Sequence, residues 1–150
     1  MASPLIPPED MLCFDVYGLQ QSFGRLYSQL LEPLKVTYPQ YLVLVLLWEG
    51  KPLSVGQIGT RLGLDSSTLT PLLKRMQHAG LVMRTRDAQD ERRVLITLTE
   101  AGIAMRDRAA DIPGCVAAAT GLSPDQITSL RAQLADLRRG LQDHVSATTP

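Results

Sequence analysis

Two thiols are the strongest nucleophiles in this sequence: Cys13 in PPEDMLCFDVYG (7–18) and Cys115 in IPGC (112–115). A thiolate attacks a peroxide oxygen to give a sulfenic acid, which a second thiol condenses into a disulfide. Cys13 falls in the first turns of a predicted helix, with Tyr17 one helical turn further on. The positive helix end favours the anion, while Glu9, Asp10 and Asp15 oppose it. Leu12 and Phe14 make the neighbourhood apolar. A free cysteine is more often a small buried hydrophobe, so the thiols alone decide nothing. Their wide spacing fits neither a secreted disulfide framework nor a zinc site. His78 and His144 lack metal-ligand spacing, and no metal or cofactor is expected.

A second group of residues is suited to nucleic acid. Ser66, Ser67, Thr68 and Thr70 open a short helix and are followed by Lys74 and Arg75. Hydroxyls at a helix N-terminus reach base edges or phosphates, and the cations neutralise backbone charge. The competing expectation is that these hydroxyls only cap the helix, which one of them is expected to do, with Asp65 a further cap candidate just before them. Further on, Arg84, Arg86, Arg92 and Arg93 flank a charged tip, DAQDERR (87–93). A narrow minor groove attracts an inserted arginine. Asp90 is read as a brace for Arg92, because a free carboxylate there would repel phosphate. Net charge over the 150 residues is zero, yet residues 51–108 carry +4 and the flanks −4. That distribution fits a DNA-binding module set in a different kind of scaffold.

The elements that must hold these residues follow from periodicity and punctuation. A helix over about 10–34 carries Leu12, Val16, Leu19, Phe23, Leu26 and Leu30 in steps of four and three. A last helix opens with the capping box Ser123-Pro124-Asp125-Gln126 and carries Ile127, Leu130, Leu134, Leu137, Leu141 and Val145. From periodicity alone these two helices could pack on each other or on those of a second copy. Between them come a buried helix at 38–49, a helix at 54–62 closed by Gly63, and a helix from Asp65 to Gly80 that stays whole despite Pro71. LVMRTR (81–86) and VLITLT (94–99) are β-like. A helix from Thr99 is expected to run until Pro113-Gly114 interrupts it, leaving Cys115 in a movable break. Tyr41 and Trp48 are expected to pack rather than sense.

The expected fold is thus mainly α with a small β-hairpin wing: one domain over 1–150, with a winged helix-turn-helix at about 51–99 between terminal helices at about 10–34 and 100–145. The low aromatic content, 5%, leaves aliphatic side chains to fill the core. MASPLIPP lacks the marks of a signal peptide, and YLVLVLLW (41–48) is too short to span a bilayer, so a cytoplasmic chain without a membrane role is expected.

SVGQIGTRLGLDSSTLTPLLKRM, the HAGLV after it, DERRVLITLT and LTEAG together resemble the multiple-antibiotic-resistance regulator (MarR) family over nearly the whole chain. LCFDVYG, TYPQY (37–41) and IPGC further resemble its organic hydroperoxide resistance regulators (OhrR). That resemblance implies a homodimeric repressor of double-stranded operator DNA, built on interleaved terminal helices and inactivated by organic hydroperoxide. It assigns the sensing thiol to Cys13 and its hydrogen-bonding tyrosines to Tyr27 and Tyr38 of the partner subunit, with Tyr17 in the same pocket. It places the minor-groove arginine and its acidic partner at Arg92 and Asp90, and Cys115 at the position of a second, resolving thiol. An intersubunit Cys13–Cys115 disulfide would then pull a terminal helix toward the neighbouring subunit and change the separation of the two recognition helices. The alternatives are a MarR-type repressor released by a small ligand, a thiol peroxidase and a pure dimerisation protein. No thioredoxin-like βαβ pattern supports the peroxidase, and Arg92 with the hydroxyl-rich helix argues against the last.

Overall fold

The computed structural model describes residues 5–148; the first four residues of MASPLIPP and the last two of the chain lie outside it. The chain divides into two compact units, one up to Ala110 and one from Asp111. No single helix among the described residues is long and apolar enough to cross a membrane.

In the first unit, a 3-10 turn at Pro8–Asp10 leads into helix α1, Leu12–Leu31, which tightens into a second 3-10 turn at Glu32–Leu34. Lys35 takes a left-handed conformation and turns the chain into α2, Tyr38–Leu47. Helix α2 is fixed at its start by a capping box. The Thr37 hydroxyl accepts the Gln40 N–H, and the Gln40 side chain accepts the Thr37 N–H at 2.9 Å. A two-residue strand β1, Leu53–Ser54, precedes α3, Val55–Leu62, whose N-terminus has the same kind of box between Ser54 and Gln57. Gly63, at φ +65°, ends α3 as the glycine there predicts. Helix α4, Ser66–His78, is followed by strands β2, Val82–Arg86, and β3, Val94–Leu98, and by α5, Glu100–Arg108.

The sheet has three strands rather than the expected two, in the order β1-β3-β2, all antiparallel. Leu53 pairs with Ile96 and Ser54 with Leu95, so the third strand ties the start of the helix-turn-helix to the wing. The core of this unit is aliphatic as expected: Leu31, Val43, Leu44, Ile58, Leu69, Leu73, Met76, Val82 and Ile96 are all nearly inaccessible.

The second unit contains α6, Ile112–Ala119, and α7, Pro124–Thr148. Here the sequence expectation needs correction. The interruption lies at Ala109–Asp111, and Pro113-Gly114 sit inside the first turn of α6. Proline is tolerated there because the first helical N–H groups have no intrahelical acceptor. Cys115 is therefore helical, its N–H donating to the Asp111 carbonyl at 3.0 Å, and does not lie in a flexible break. The Ser123–Gln126 box opens α7 as predicted.

Candidate functional site

Helix α4 presents two different faces. Leu69, Leu72, Leu73 and Met76 are buried, while Ser66, Ser67, Thr68, Pro71, Lys74 and Arg75 are exposed and Thr70 is half-buried. Of the cap candidates in Asp65-Ser66-Ser67-Thr68, Asp65 takes the position rather than one of the hydroxyls. Its carboxylate accepts the Thr68 N–H at 2.8 Å and the Ser67 hydroxyl at 2.6 Å. These bonds, the Ser67 hydroxyl's first, hold the Asp65 carboxyl below its ordinary range. The Thr68 side chain also hydrogen-bonds the Asp65 carboxylate, so the cap engages both Ser67 and Thr68. Pro71 removes the bond that would have run to the Ser67 carbonyl, and the helix continues through it. One close approach sets the turn between α3 and α4. A Cβ on Gly59 would come within 2.7 Å of the Leu64 carbonyl oxygen, so only glycine allows this turn. Arg61 is also held, by a two-pronged ion pair to Glu49 at 2.6 and 2.8 Å.

In the wing, the tip is organised by its own carboxylates. Asp87 N–H donates to the Arg93 carbonyl at 2.9 Å, and Arg93 N–H donates to the Asp90 carbonyl at 2.9 Å. The Asp90 carboxylate accepts the backbone N–H of Arg92 at 3.0 Å, so its bracing acts on the main chain of Arg92 rather than on the guanidinium. Arg93 lies 3.9 Å from the Asp87 carboxylate. Arg86, Arg92 and Arg93 are exposed, whereas Arg84 is half-buried and faces Ile96 across the ladder.

Cys13 is the second residue of α1 and its thiol is exposed, as is that of Cys115. The face around Cys13 is apolar but uncovered: Leu12, Phe14, Val16, Tyr17 and Leu19 are between 40% and 62% exposed. Leu130, Leu134 and Leu141 on α7 are also exposed. Tyr17 follows Cys13 by one turn on α1.

Tyr27 and Tyr38 are brought together, their ring centroids 4.2 Å apart. They line a groove of about 440 Å³ with Gln20, Phe23 and Gly24. Tyr41, buried in the core as its expected packing role requires, adds a third ring 6.1 Å from Tyr27. Burial, then the adjacent Tyr38 and Tyr41, push the Tyr27 hydroxyl up to about 12. Cys13 lies fourteen positions before Tyr27 on the same helix, a rise of about 21 Å, and Tyr17 ten positions before, about 15 Å. Within one chain the tyrosine pair therefore cannot reach the thiol, and Tyr17 stands outside the Tyr27–Tyr38 groove.

A model of the MarR family matches residues 36–94. The HTH-type transcriptional regulator TtmR of Methylorubrum extorquens is 46% identical over 140 residues, 93% of this chain and 72% of that protein. The organic hydroperoxide resistance transcriptional regulator of Bacillus subtilis is 45% identical over 126 residues, 84% of this chain and 86% of its own. Reduced AbfR bound to DNA is similar in structure with a TM-score of 0.75 and 34% identity, covering 89% of this chain and 92% of that one. Disulfide-formed AbfR matches with a TM-score of 0.61 and 37% identity, covering 84% and 88% of the two chains. The fold and site define a winged-helix regulator. The chain belongs to the MarR family, as a MarR-type transcriptional regulator.

Proposed function

We propose that this chain is a cytoplasmic, homodimeric repressor that leaves operator DNA when an organic hydroperoxide oxidises Cys13. The observation that carries the reading is the exposed Cys13 thiol at the second position of α1, on an uncovered apolar face. The similarity to a Bacillus regulator of organic hydroperoxide resistance supports the same chemistry. The Cys13 thiolate attacks the distal peroxide oxygen; an S–O bond forms, the O–O bond breaks, and the alcohol leaves after protonation. The sulfenic acid then condenses with the Cys115 thiol of the second subunit, forming an S–S bond and releasing water.

A dimer follows from two needs. The apolar side chains along α1 and α7 require cover. Tyr27 and Tyr38 are too far along the fold to serve the Cys13 of their own chain, so as thiolate hydrogen-bond donors they act on the partner's. In the dimer, α4 enters the major groove with Ser66, Ser67, Thr68 and Thr70, while Lys74 and Arg75 meet phosphates. Arg92 enters the minor groove on the turn that Asp90 braces, with Arg84, Arg86 and Arg93 adding positive potential. DNA-bound AbfR, of the same fold, supports a DNA partner. Two half-sites must be matched about one helical turn apart, so a shift of a few Å between the two α4 helices releases DNA. Because Cys115 is helical, the disulfide moves α6 as a body or unwinds its first turn.

The test is DNA retention on a duplex recovered by binding-site selection, before and after stoichiometric cumene hydroperoxide. Wild type is expected to dissociate and Cys13→Ser to stay bound. Release of both, or of neither, contradicts the reading.

A further inference from the structure

The aromatic residues of α1 and α2 form a continuous series that runs toward α4. Tyr38 stacks on Tyr27 at 4.2 Å, Tyr27 lies 6.1 Å from Tyr41, and Tyr41 meets Trp48 edge-on at 6.2 Å. Separations of this size are those of interacting rings. Beyond the rings the series becomes polar. The Trp48 indole N–H donates to the Gly102 carbonyl at 2.9 Å, between residues 54 positions apart.

Gly102 belongs to a tightly fastened junction. Its N–H donates to the Thr99 hydroxyl oxygen at 3.1 Å, and that hydroxyl donates to the Gly80 carbonyl at 2.6 Å. Thr99 N–H donates to the Leu81 carbonyl at 3.1 Å. A Cβ on Gly102 would land on that same Leu81 carbonyl oxygen, so the first turn of α5 lies directly against the backbone that closes α4. Gly80, at φ +74°, and the Leu81 N–H, donating to Met76, terminate α4 there. The Trp48 indole bond thus gives the tyrosine-bearing helices a polar link to the junction that ends α4, beside the direct packing of α2 on α4.

We propose that Trp48 is the positioning residue that couples the tyrosine pair to α4, so that a displacement at Tyr27 and Tyr38 is delivered to the recognition helix through Tyr41, Trp48 and the Gly102–Thr99 junction. The proposal rests on the sensing function above. Close-packed contacts transmit displacement instead of absorbing it, and the indole N–H gives the link a direction that a purely apolar contact lacks. A coupling of this kind is a free-energy difference between oxidation states, so it is measured as a ratio of affinities.

The experiment compares wild type, Trp48→Phe and Tyr41→Leu. Trp48→Phe keeps an aromatic ring against Tyr41 and removes the N–H; Tyr41→Leu breaks the series one step earlier. DNA affinity is measured before and after cumene hydroperoxide, and Cys13 sulfenate is trapped and followed by mass. Both variants are expected to oxidise at the wild-type rate and to hold DNA within about threefold when reduced, while the ratio of reduced to oxidised affinity falls by about tenfold or more. Wild-type ratios in both variants would overturn the coupling. So would an equal loss of affinity in both oxidation states, which marks a merely structural role. Thermal melts accompany both variants, and if Trp48→Phe unfolds, Tyr41→Leu alone decides. A wild-type protein that oxidises at Cys13 and keeps its DNA would overturn the sensing function itself and the coupling with it, a result visible without any variant.

Discussion

The Asp90 carboxylate accepts the Arg92 backbone N–H at 3.0 Å, while Arg93 N–H closes on the Asp90 carbonyl at 2.9 Å. One aspartate therefore shapes the tip of the wing on both sides and leaves the Arg92 guanidinium exposed. Arg92→Ala is expected to weaken DNA binding by about 1–3 kcal/mol and to flatten its salt dependence. Asp90→Ala should cause a smaller loss through a looser tip. Anisotropy titrations at several salt concentrations check both, with sulfenate formation at Cys13 unchanged.

Asp65 supplies a prediction about pH. Hydrogen bonds from Ser67 and Thr68 hold its carboxyl below the ordinary range in the folded chain. A lowered folded value means stabilisation that is complete above the unfolded aspartate value, about 3.9, and lost as pH falls through the folded one. Asp65→Ala should therefore lower the melting temperature at pH 7, and the gap from wild type should close toward strongly acidic pH. Asp65→Asn, which keeps a side-chain acceptor, should retain part of the stabilisation at pH 7. Calorimetry across that range measures the difference.

Tyr27 gives the opposite sign. Its folded value is raised to about 12, so its contribution is intact below the ordinary tyrosine value of about 10 and is lost between there and about 12. The hydroxyl remains a hydrogen-bond donor throughout the neutral range. In a spectrophotometric alkaline titration, the transition missing from Tyr27→Phe should be one near 12.

Two glycines are steric requirements. At Gly59 an added methyl meets the Leu64 carbonyl at 2.7 Å, and at Gly102 it meets the Leu81 carbonyl more closely still. Gly59→Ala should cost about 1–3 kcal/mol and Gly102→Ala at least the upper end of that range, read from urea midpoints. Gly56→Ala, which meets only the Ser54 hydroxyl oxygen at 3.9 Å, should be tolerated.

What was legible in the sequence was local. The Ser54–Gln57 and Ser123–Gln126 boxes and the Gly63 stop are short-range geometry, and each stands where the residues predict. Strand β1 escaped because two residues have no period of their own; only pairing with Ile96 and Leu95 makes Leu53 and Ser54 a strand. Pro113-Gly114 misled because proline marks both an interruption and a first helical turn, and the distinction depends on where Asp111 places the preceding carbonyl. Asp65-Ser66-Ser67-Thr68 offers several cap candidates by type alone, and only the folded backbone selects Asp65 as the acceptor of the Thr68 N–H. Tyr41 and Trp48 read as packing residues, and nothing in their spacing reveals that one lies against Tyr27 and the other reaches α5. The tyrosine cluster is tertiary information.

The most direct measurement is a non-reducing gel with intact mass on reduced protein treated with about one equivalent of cumene hydroperoxide, alongside Cys13→Ser and Cys115→Ser. A covalent dimer is expected in wild type, none in either variant, and a trappable sulfenate on Cys13 in Cys115→Ser. A wild-type protein whose Cys13 remains a free thiol after treatment would contradict sensing at Cys13.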